Sequence, residues 1–466
     1  MSVKPPAFAS VWQALTGGLL LLFLLLASRP FRMPPETQLT HAPHGHTLNH
    51  IQVFSPDDAW LVYDTRNVDS NLGQTCCIRM VNVHTGEDRL LYQTPNQTPH
   101  GPGAGAVTFS PTQAQVLFLH GLRNADAQLP YAMTRRTGVL IDTQKPGNPH
   151  FLDGRNTAPP FTAGALRGGT HAHGWSADGQ WVSFTYNDEV MERLAASDPT
   201  VADLRMVGVM APVRAVKVPN DNGADAFGGE WFAAVVTRVT ENPTPGSDEI
   251  NRAFDETWIG RAGYTRPDGS RQHRALAFQG NVRNGANQTV TEVFVLDLPD
   301  NLTLAAAGQP LEGTSNTRPN PPVGAVQRRI TFTERGIEGP RHWLRSTPDG
   351  TLIGFLAKDK NEQVQVFGVS PNGGAIRQLT HQPHSIQTPF SFSPDGNRVA
   401  YAADNSVFIT DLSSGQATRL TPRSTDETRP INGVVWSNKG DRLVYNRYVA
   451  GPEGRFIQIM QLRLSE

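Results

Sequence analysis

The chain has 466 residues with 41 Lys plus Arg against 42 Asp plus Glu, a formal net charge of −1 and a pI near 6.9, so no bulk electrostatic field draws it to nucleic acid. Its 43 glycines and 36 prolines would suggest disorder if they were not spaced between alternating apolar runs, where they supply turns. The length suffices for one large closed core.

Residues 1–35 differ in kind from the rest. Val11 to Ala27, VWQALTGGLLLLFLLLA, is apolar apart from Gln13 and Thr16. Its length falls between a signal h-region and a spanning helix, so it reads as a signal peptide or a membrane anchor in an N-terminal helix. That places the protein at a bacterial membrane, or in the secreted or periplasmic space. Ala27 offers a cleavage site, although Leu25 is a poorer neighbour for it than a small residue, and Arg29 and Arg32 count against an outward-facing domain.

From residue 36 to 466 one skeleton recurs: an aromatic residue, a Ser-Pro-Asp-Gly-like turn and an alternating strand. The copies begin at Phe54, Phe109, Trp175, Phe392 and Trp436, and at Thr347 without the aromatic residue, each followed by a strand such as Leu61–Asp64, Val116–His120 or Trp181–Tyr186. Proline presets φ, aspartate bonds the backbone ahead of it and glycine accepts positive φ, so the turn joins two antiparallel strands. The gap 218–328 holds strand-like runs at 231–239, 274–278 and 292–298. It reads as a seventh, degenerate unit carrying an insertion. Repeats of this length predict an all-β fold, a seven-bladed β-propeller.

Outer strands appear as Leu-Thr runs at Leu90, Ile330, Leu379 and Leu420, but only two strands follow Trp436. Gln38-Leu-Thr-His repeats Gln378-Leu-Thr-His and stands before the first blade. It is therefore expected to complete the last blade and close the ring, which removes an exposed edge. Adjacent Cys76 and Cys77 read as two small strand residues on opposite faces rather than a vicinal disulfide. Zinc spacings, H-E-x-x-H, a P-loop and a G-x-S-x-G elbow are absent.

Five residues before the Ser or Thr of the turn stand His50, His171 and His342, with His173 two residues beyond the second. That position begins the innermost strand, which lines the channel of a propeller. Loops between second and third strands open at the same end and bring Asp64, Arg66, His120, Arg123, Asn187, Asp188 and Asp359. Histidines with carboxylates hold a divalent metal, with His50, His171, His173 and His342 as its ligands, or perform acid–base chemistry, and with arginines they grip an acidic ligand. The alternative is that each histidine satisfies nearby backbone. Insertions at 188–203 and 241–273 are candidates for a lid, and Ser247 to Trp258 reads as a short capped helix.

The strings from Arg167, Thr185, Gly246, Arg274, Gln327 and Pro340, among them RGGTHAH, GSDEINRAF and PRHWLR, resemble an uncharacterised bacterial family of TolB-like propellers from residue 38 onward. More distantly the turn repeats resemble TolB, a periplasmic interaction module, and oligogalacturonate lyase, whose propeller holds a histidine-rich metal site in a different register. The resemblance implies a seven-bladed ring and no catalytic residue. The expected function is an exported, membrane-tethered monomer that binds a protein partner or an acidic or oligosaccharide ligand at the channel mouth. A carbohydrate-active lyase or hydrolase is the second reading. A peptidase propeller is disfavoured because no hydrolase domain follows the ring.

Overall fold

The structure is a computed structural model that describes residues 1–3, 33–49 and 51–464. The apolar run Val11 to Ala27 and His50 fall outside the described residues. Among those described, no helix is long and apolar enough to cross a membrane.

The chain builds a seven-bladed propeller. Blade 1 pairs Trp60–Asp64, Cys77–Asn82 and Asp88–Gln93, with Phe54 bridged to Leu61 on the channel side. Blade 2 runs from Ala104–Phe109 outward to His150–Phe151, and blade 3 from Gly168–Trp175 to Phe232–Val235. Blade 4 contains Ile250–Trp258, Ala275–Arg283, Thr289–Asp297 and Val326–Arg329. Blades 5 and 6 start at Arg345–Ser346 and Ser391–Phe392. Blade 7 orders Ile431–Trp436, Arg442–Gly451 and Gly454–Arg463 from inside out, and Glu36–Gln38 is its fourth strand.

The closing strand is thus the one expected, antiparallel to Gly454–Arg463 with Glu36 opposite Leu462 and Gln38 opposite Met460. Leu39 N–H continues the ladder to Ile459 O at 2.8 Å, and Glu36 accepts from Tyr445 and pairs with Arg447 at 3.0 Å. At the other end of the same junction, Asp58 accepts from the backbone N–H groups of Asn438 at 2.8 Å and Lys439 at 2.9 Å.

Each sheet is apolar on both faces because each packs on two neighbours. The core is therefore divided among the blade-to-blade interfaces: Val62, Phe109 and Phe118 between blades 1 and 2, Trp175, Phe184 and Leu117 between 2 and 3, and so on to Leu39, Phe54 and Val444 between 7 and 1. The repeated turn carries its own hydrogen bonds. Asp57, Asp178, Asp349 and Asp395 each accept from the N–H two residues on, at 3.0 Å, and Ser55, Ser176 and Ser393 hydroxyls accept from the first strand residue beyond at 2.9 Å.

Three local expectations are corrected. Ser247 to Trp258 is not a helix; it enters the innermost strand of blade 4, so 241–273 is no insertion. The ladder to Ala275–Arg283 holds Ile250 and Ala253 buried, and this tertiary pairing outweighs the capping pattern. The run 231–239 supplies the outer strand of blade 3, not of blade 4. Cys76 and Cys77 form a disulfide. Cys76 lies before the strand, just after the 3₁₀ turn Asp69–Gln74, so strand alternation does not govern it.

Candidate functional site

Innermost strands run from the channel mouth to the Ser-Pro-Asp-Gly end, and four of them bulge near their start. Register shifts occur at Gly105/Thr108, His171/Gly174, Phe254/Thr257 and Ile431/Val434. Each bulge places a residue other than glycine at left-handed φ: Ala106 at 54°, Ala172 at 48°, Asp255 at 50° and Asn432 at 62°. Each such residue costs about 1 kcal/mol, and strained backbone of this kind concentrates where a protein must aim side chains.

Beside these bulges a cavity of about 340 Å³ opens at the mouth, lined by Arg66, Arg136, His171, Arg205, Arg341 and Trp343 among others. It draws on blades 1, 2, 3 and 5. Arg66 is clamped by Asp64, with Nε to Oδ1 at 2.7 Å and Nη2 to Oδ2 at 2.9 Å, and by Asp69 at 3.0 Å. Burial opposes the Arg66 charge, yet Asp64 outweighs it and holds the guanidinium above its ordinary value. Asp64 Oδ2 also accepts from Ala106 N–H at 2.8 Å. Blade 2 presents glycine at the position of the histidines, since a Cβ on Gly105 would stand 3.1 Å from that oxygen and 3.3 Å from Arg66 Nε.

The other cations are less well compensated. Arg341 reaches Asp255 only at 3.4 Å. Arg136 and Arg205 form no ion pair among the described residues. Burial pushes Arg136 down, and Arg341 and Arg66 add to the effect. Burial pushes Arg205 to about 10, with Arg252, Arg341 and Arg136 repelling its charge and Asp255 opposing them in part. Arg136 donates to His171 Nδ1, so His171 Nε2–H donates to Asn187 Oδ1 at 3.0 Å. Asn187 Oδ1 also accepts from Arg205 Nε at 3.2 Å. Burial, then Arg136 and Arg205, hold His171 well below its ordinary value, so it is neutral.

Of the described residues expected at the mouth, the fold brings Asp64, Arg66, His171 and Asn187 together and leaves the others elsewhere. His342 is buried within blade 5, its Nδ1–H donating to Pro340 O at 3.0 Å and its Nε2 accepting from Leu356 N–H at 3.1 Å. It is a packing residue, as the backbone-satisfying alternative held. His173 is buried against Thr170 Oγ1 at 3.0 Å. His120 lies between blades, bonded to Tyr92 OH at 2.9 Å and to Gly121 O. Arg123 stacks over Phe151 and Phe227. Asp188 pairs with buried Arg167 at 2.7 Å and caps the helix Glu189–Ala195.

Among the described residues no group of three or more His, Cys, Asp or Glu could hold an ion. Both nitrogens of His171 and of His342 have protein partners.

Sequence reasoning missed Arg136, Arg205, Arg341 and Glu256. Glu256 lies on the innermost strand of blade 4, within the bulge and one residue past Asp255. Its Oε2 accepts from Thr185 Oγ1 at 2.8 Å, Oε1 has no hydrogen-bond partner among the described residues, and burial pushes the carboxyl up to about 7. Because this value exceeds the unfolded one of 4.5, the protonated form is favoured by the fold. Stability from this group is full below pH 4.5 and is lost as pH rises through about 7, by on the order of 2–4 kcal/mol. Glu256→Gln should raise Tm over wild type at about pH 8 and much less at about pH 5. An equal change at both pH values would show that the carboxyl titrates normally.

Comparison with known proteins bears on this frame. Residues 103–225 match the family described as protein of unknown function DUF3748, and residues 358–448 match the dipeptidyl peptidase IV N-terminal region. The chain is 39% identical over 416 residues to the uncharacterised protein YidR of Escherichia coli K12, covering 88% of this chain and 94% of that one. An oligogalacturonate lyase in complex with manganese superposes with a TM-score of 0.52 at 11% identity, covering 93% and 94% of the two chains. TolB from Acinetobacter baumannii gives 0.36 at 14% identity, with 90% and 86% covered.

Proposed function

Since the chain belongs to the family of Escherichia coli YidR, whose name assigns no activity, function has to come from the mouth itself, and we propose that the propeller is a binding module that takes an anionic ligand there. The observation that carries this reading is the pair Arg136 and Arg205. Both line the cavity, both are repelled by neighbouring arginines, and neither forms an ion pair among the described residues, Asp255 attracting Arg205 only from beyond ion-pair distance. An anion with two or more oxygens relieves that repulsion and accepts planar, bidentate hydrogen bonds from the guanidinium groups. Neutral His171 orients Arg136, and Trp343 offers an apolar wall beside Arg341. Carboxylated saccharides and acidic protein segments both have this chemistry.

Calorimetric titration of the full-length protein with sulfate, citrate and a galacturonate oligomer tests the reading. At least one should bind, with affinity falling as NaCl is raised. Arg205→Ala should weaken binding tenfold or more, a loss of about 1.4 kcal/mol or greater. Absence of anion binding, or an unchanged affinity in Arg205→Ala, would overturn the proposal.

One observation favours a second reading as a carbohydrate-active lyase or hydrolase. A buried carboxyl with pKa near 7, Glu256, shares the channel with the arginines, as a general acid or base requires. Turnover of an acidic oligosaccharide that is lost in Glu256→Gln would separate catalysis from binding. We also propose export and membrane tethering through Val11 to Ala27, from its length and apolarity. Recovery of the intact, uncleaved chain in the soluble cytoplasmic fraction would exclude both anchor and signal.

A further inference from the structure

Glu256 lines one cavity and is joined to another through Thr185. On the mouth side is the arginine-lined space, whose wall includes Thr185. On the Ser-Pro-Asp-Gly side is a second cavity of about 180 Å³, lined by Gln52, Trp175, Ser183, Glu256, Trp258 and Arg261. The carboxyl is 3% exposed, and it forms no ion pair among the described residues.

The groups around it account for its state. On its own strand stands Asp255, a like charge turned toward Arg341. Blade 3 contributes Thr185 and Ser183 from its second strand, neutral His171 and His173 from its innermost strand, and Arg205 just before its third. The adjoining strand of blade 4 brings Gln279, whose amide is committed to His342 O at 2.6 Å. From blade 5, Arg345 donates to Leu344 O and is opposed in charge by Asp255. Arg261 lies across the second cavity and donates to Pro394 O at 3.0 Å. The cations sit around the mouth cavity, and the carboxyl sits below it with a hydroxyl for a partner.

We propose that anion capture at the arginine mouth is proton-coupled through Glu256, which takes up a proton as the cavity fills and releases it as the cavity empties. This inference rests on the anion-binding reading. An anion seated among the arginines adds a negative charge on the far side of Thr185, whose hydroxyl donates to Glu256. That charge disfavours the carboxylate in a site where water does not screen it. By linkage, affinity then falls as pH rises above the free-state value, by up to about tenfold per pH unit for a single coupled proton. The burial that lifts the carboxyl to about 7 places this dependence near neutrality.

Inorganic sulfate is the probe, because it stays fully ionised throughout the range. The full-length protein is titrated calorimetrically between about pH 6 and 8, each time in two buffers of different ionisation enthalpy, which counts the protons taken up. Wild type should take up a fraction of a proton per sulfate and lose affinity several-fold across the range. Glu256→Gln should bind with no proton uptake and a flat profile. Should that variant fail to fold, Thr185→Val removes the hydrogen bond that favours the carboxylate and should move the midpoint of the wild-type profile to higher pH. Sulfate binding without proton uptake in wild type overturns the coupling and leaves anion binding intact, as does a Glu256→Gln protein with the wild-type profile. Failure of sulfate and the other anions to bind at any pH overturns both.

Discussion

A chain lacking residues 1–41 should melt well below the full-length protein and precipitate, whereas a chain lacking only residues 1–35 should melt as the full-length propeller does. The six residues between the two truncations include the strand Glu36–Gln38 and buried Leu39. Their loss removes the ladder to Gly454–Arg463, the continuing bond from Leu39 to Ile459 at 2.8 Å and the bond from Ile459 N–H to Thr40 Oγ1 at 2.9 Å. At about 1 kcal/mol per backbone hydrogen bond and about 2 kcal/mol for one buried leucine, the total is roughly 5 kcal/mol. It also bares the edge of blade 7 to other chains. Differential scanning calorimetry and light scattering of the two truncations check this, and equal melting temperatures would show that the ring holds without its clasp.

Asp188→Ala should destabilise the propeller by about 3–5 kcal/mol, because it strands a buried guanidinium. Asp188 Oδ2 accepts from Arg167 Nη2 at 2.7 Å, from Arg167 Nε at 3.1 Å and from Tyr186 OH at 3.1 Å, while Oδ1 caps the helix through Met191 N–H at 3.0 Å. Both members of the pair are 1% exposed at the side chain. Arg167 cannot swing to water, since it also donates to the carbonyls of Thr314 and Thr317 in the long 299–325 connection of blade 4. Asp198→Ala, which removes an exposed carboxylate bonded to Thr200, should change stability by no more than about 0.5 kcal/mol. Denaturant unfolding of the two variants makes the comparison, and equal midpoints would mean that Arg167 finds another partner.

The repeat was legible because its chemistry is local. A serine or threonine followed within five residues by proline, aspartate or glycine favours a tight turn, so six turns and the closing strand could be placed without a partner in sight. The fourth blade was legible only as a degenerate unit, and its innermost strand escaped because it ends Trp258-Ile-Gly, without the turn signature, and its acidic residues mimic a helix start. What makes it a strand is the ladder to Ala275–Arg283 and the burial of Ile250 and Ala253 between neighbouring blades.

The site divides in the same way. By itself the sequence determined that His171 would stand on an innermost strand, and that Asp64 and Arg66 would stand at that end where the second strand of blade 1 gives way to a loop, because strand position follows from turn spacing. Only the tertiary structure decided which side chains face the mouth. A bulge with left-handed φ at Ala172 leaves His171 beside Arg136, whereas His342, at the same register in a strand that pairs only at Arg345–Ser346, turns into its own blade and bonds backbone. Arg136, Arg205 and Arg341 come from two third-strand starts and one loop, with no common spacing, and the ring brings them together. Whether an arginine is paired or left facing a cavity depends on carboxylates supplied by other blades, and that information exists only once the ring is closed.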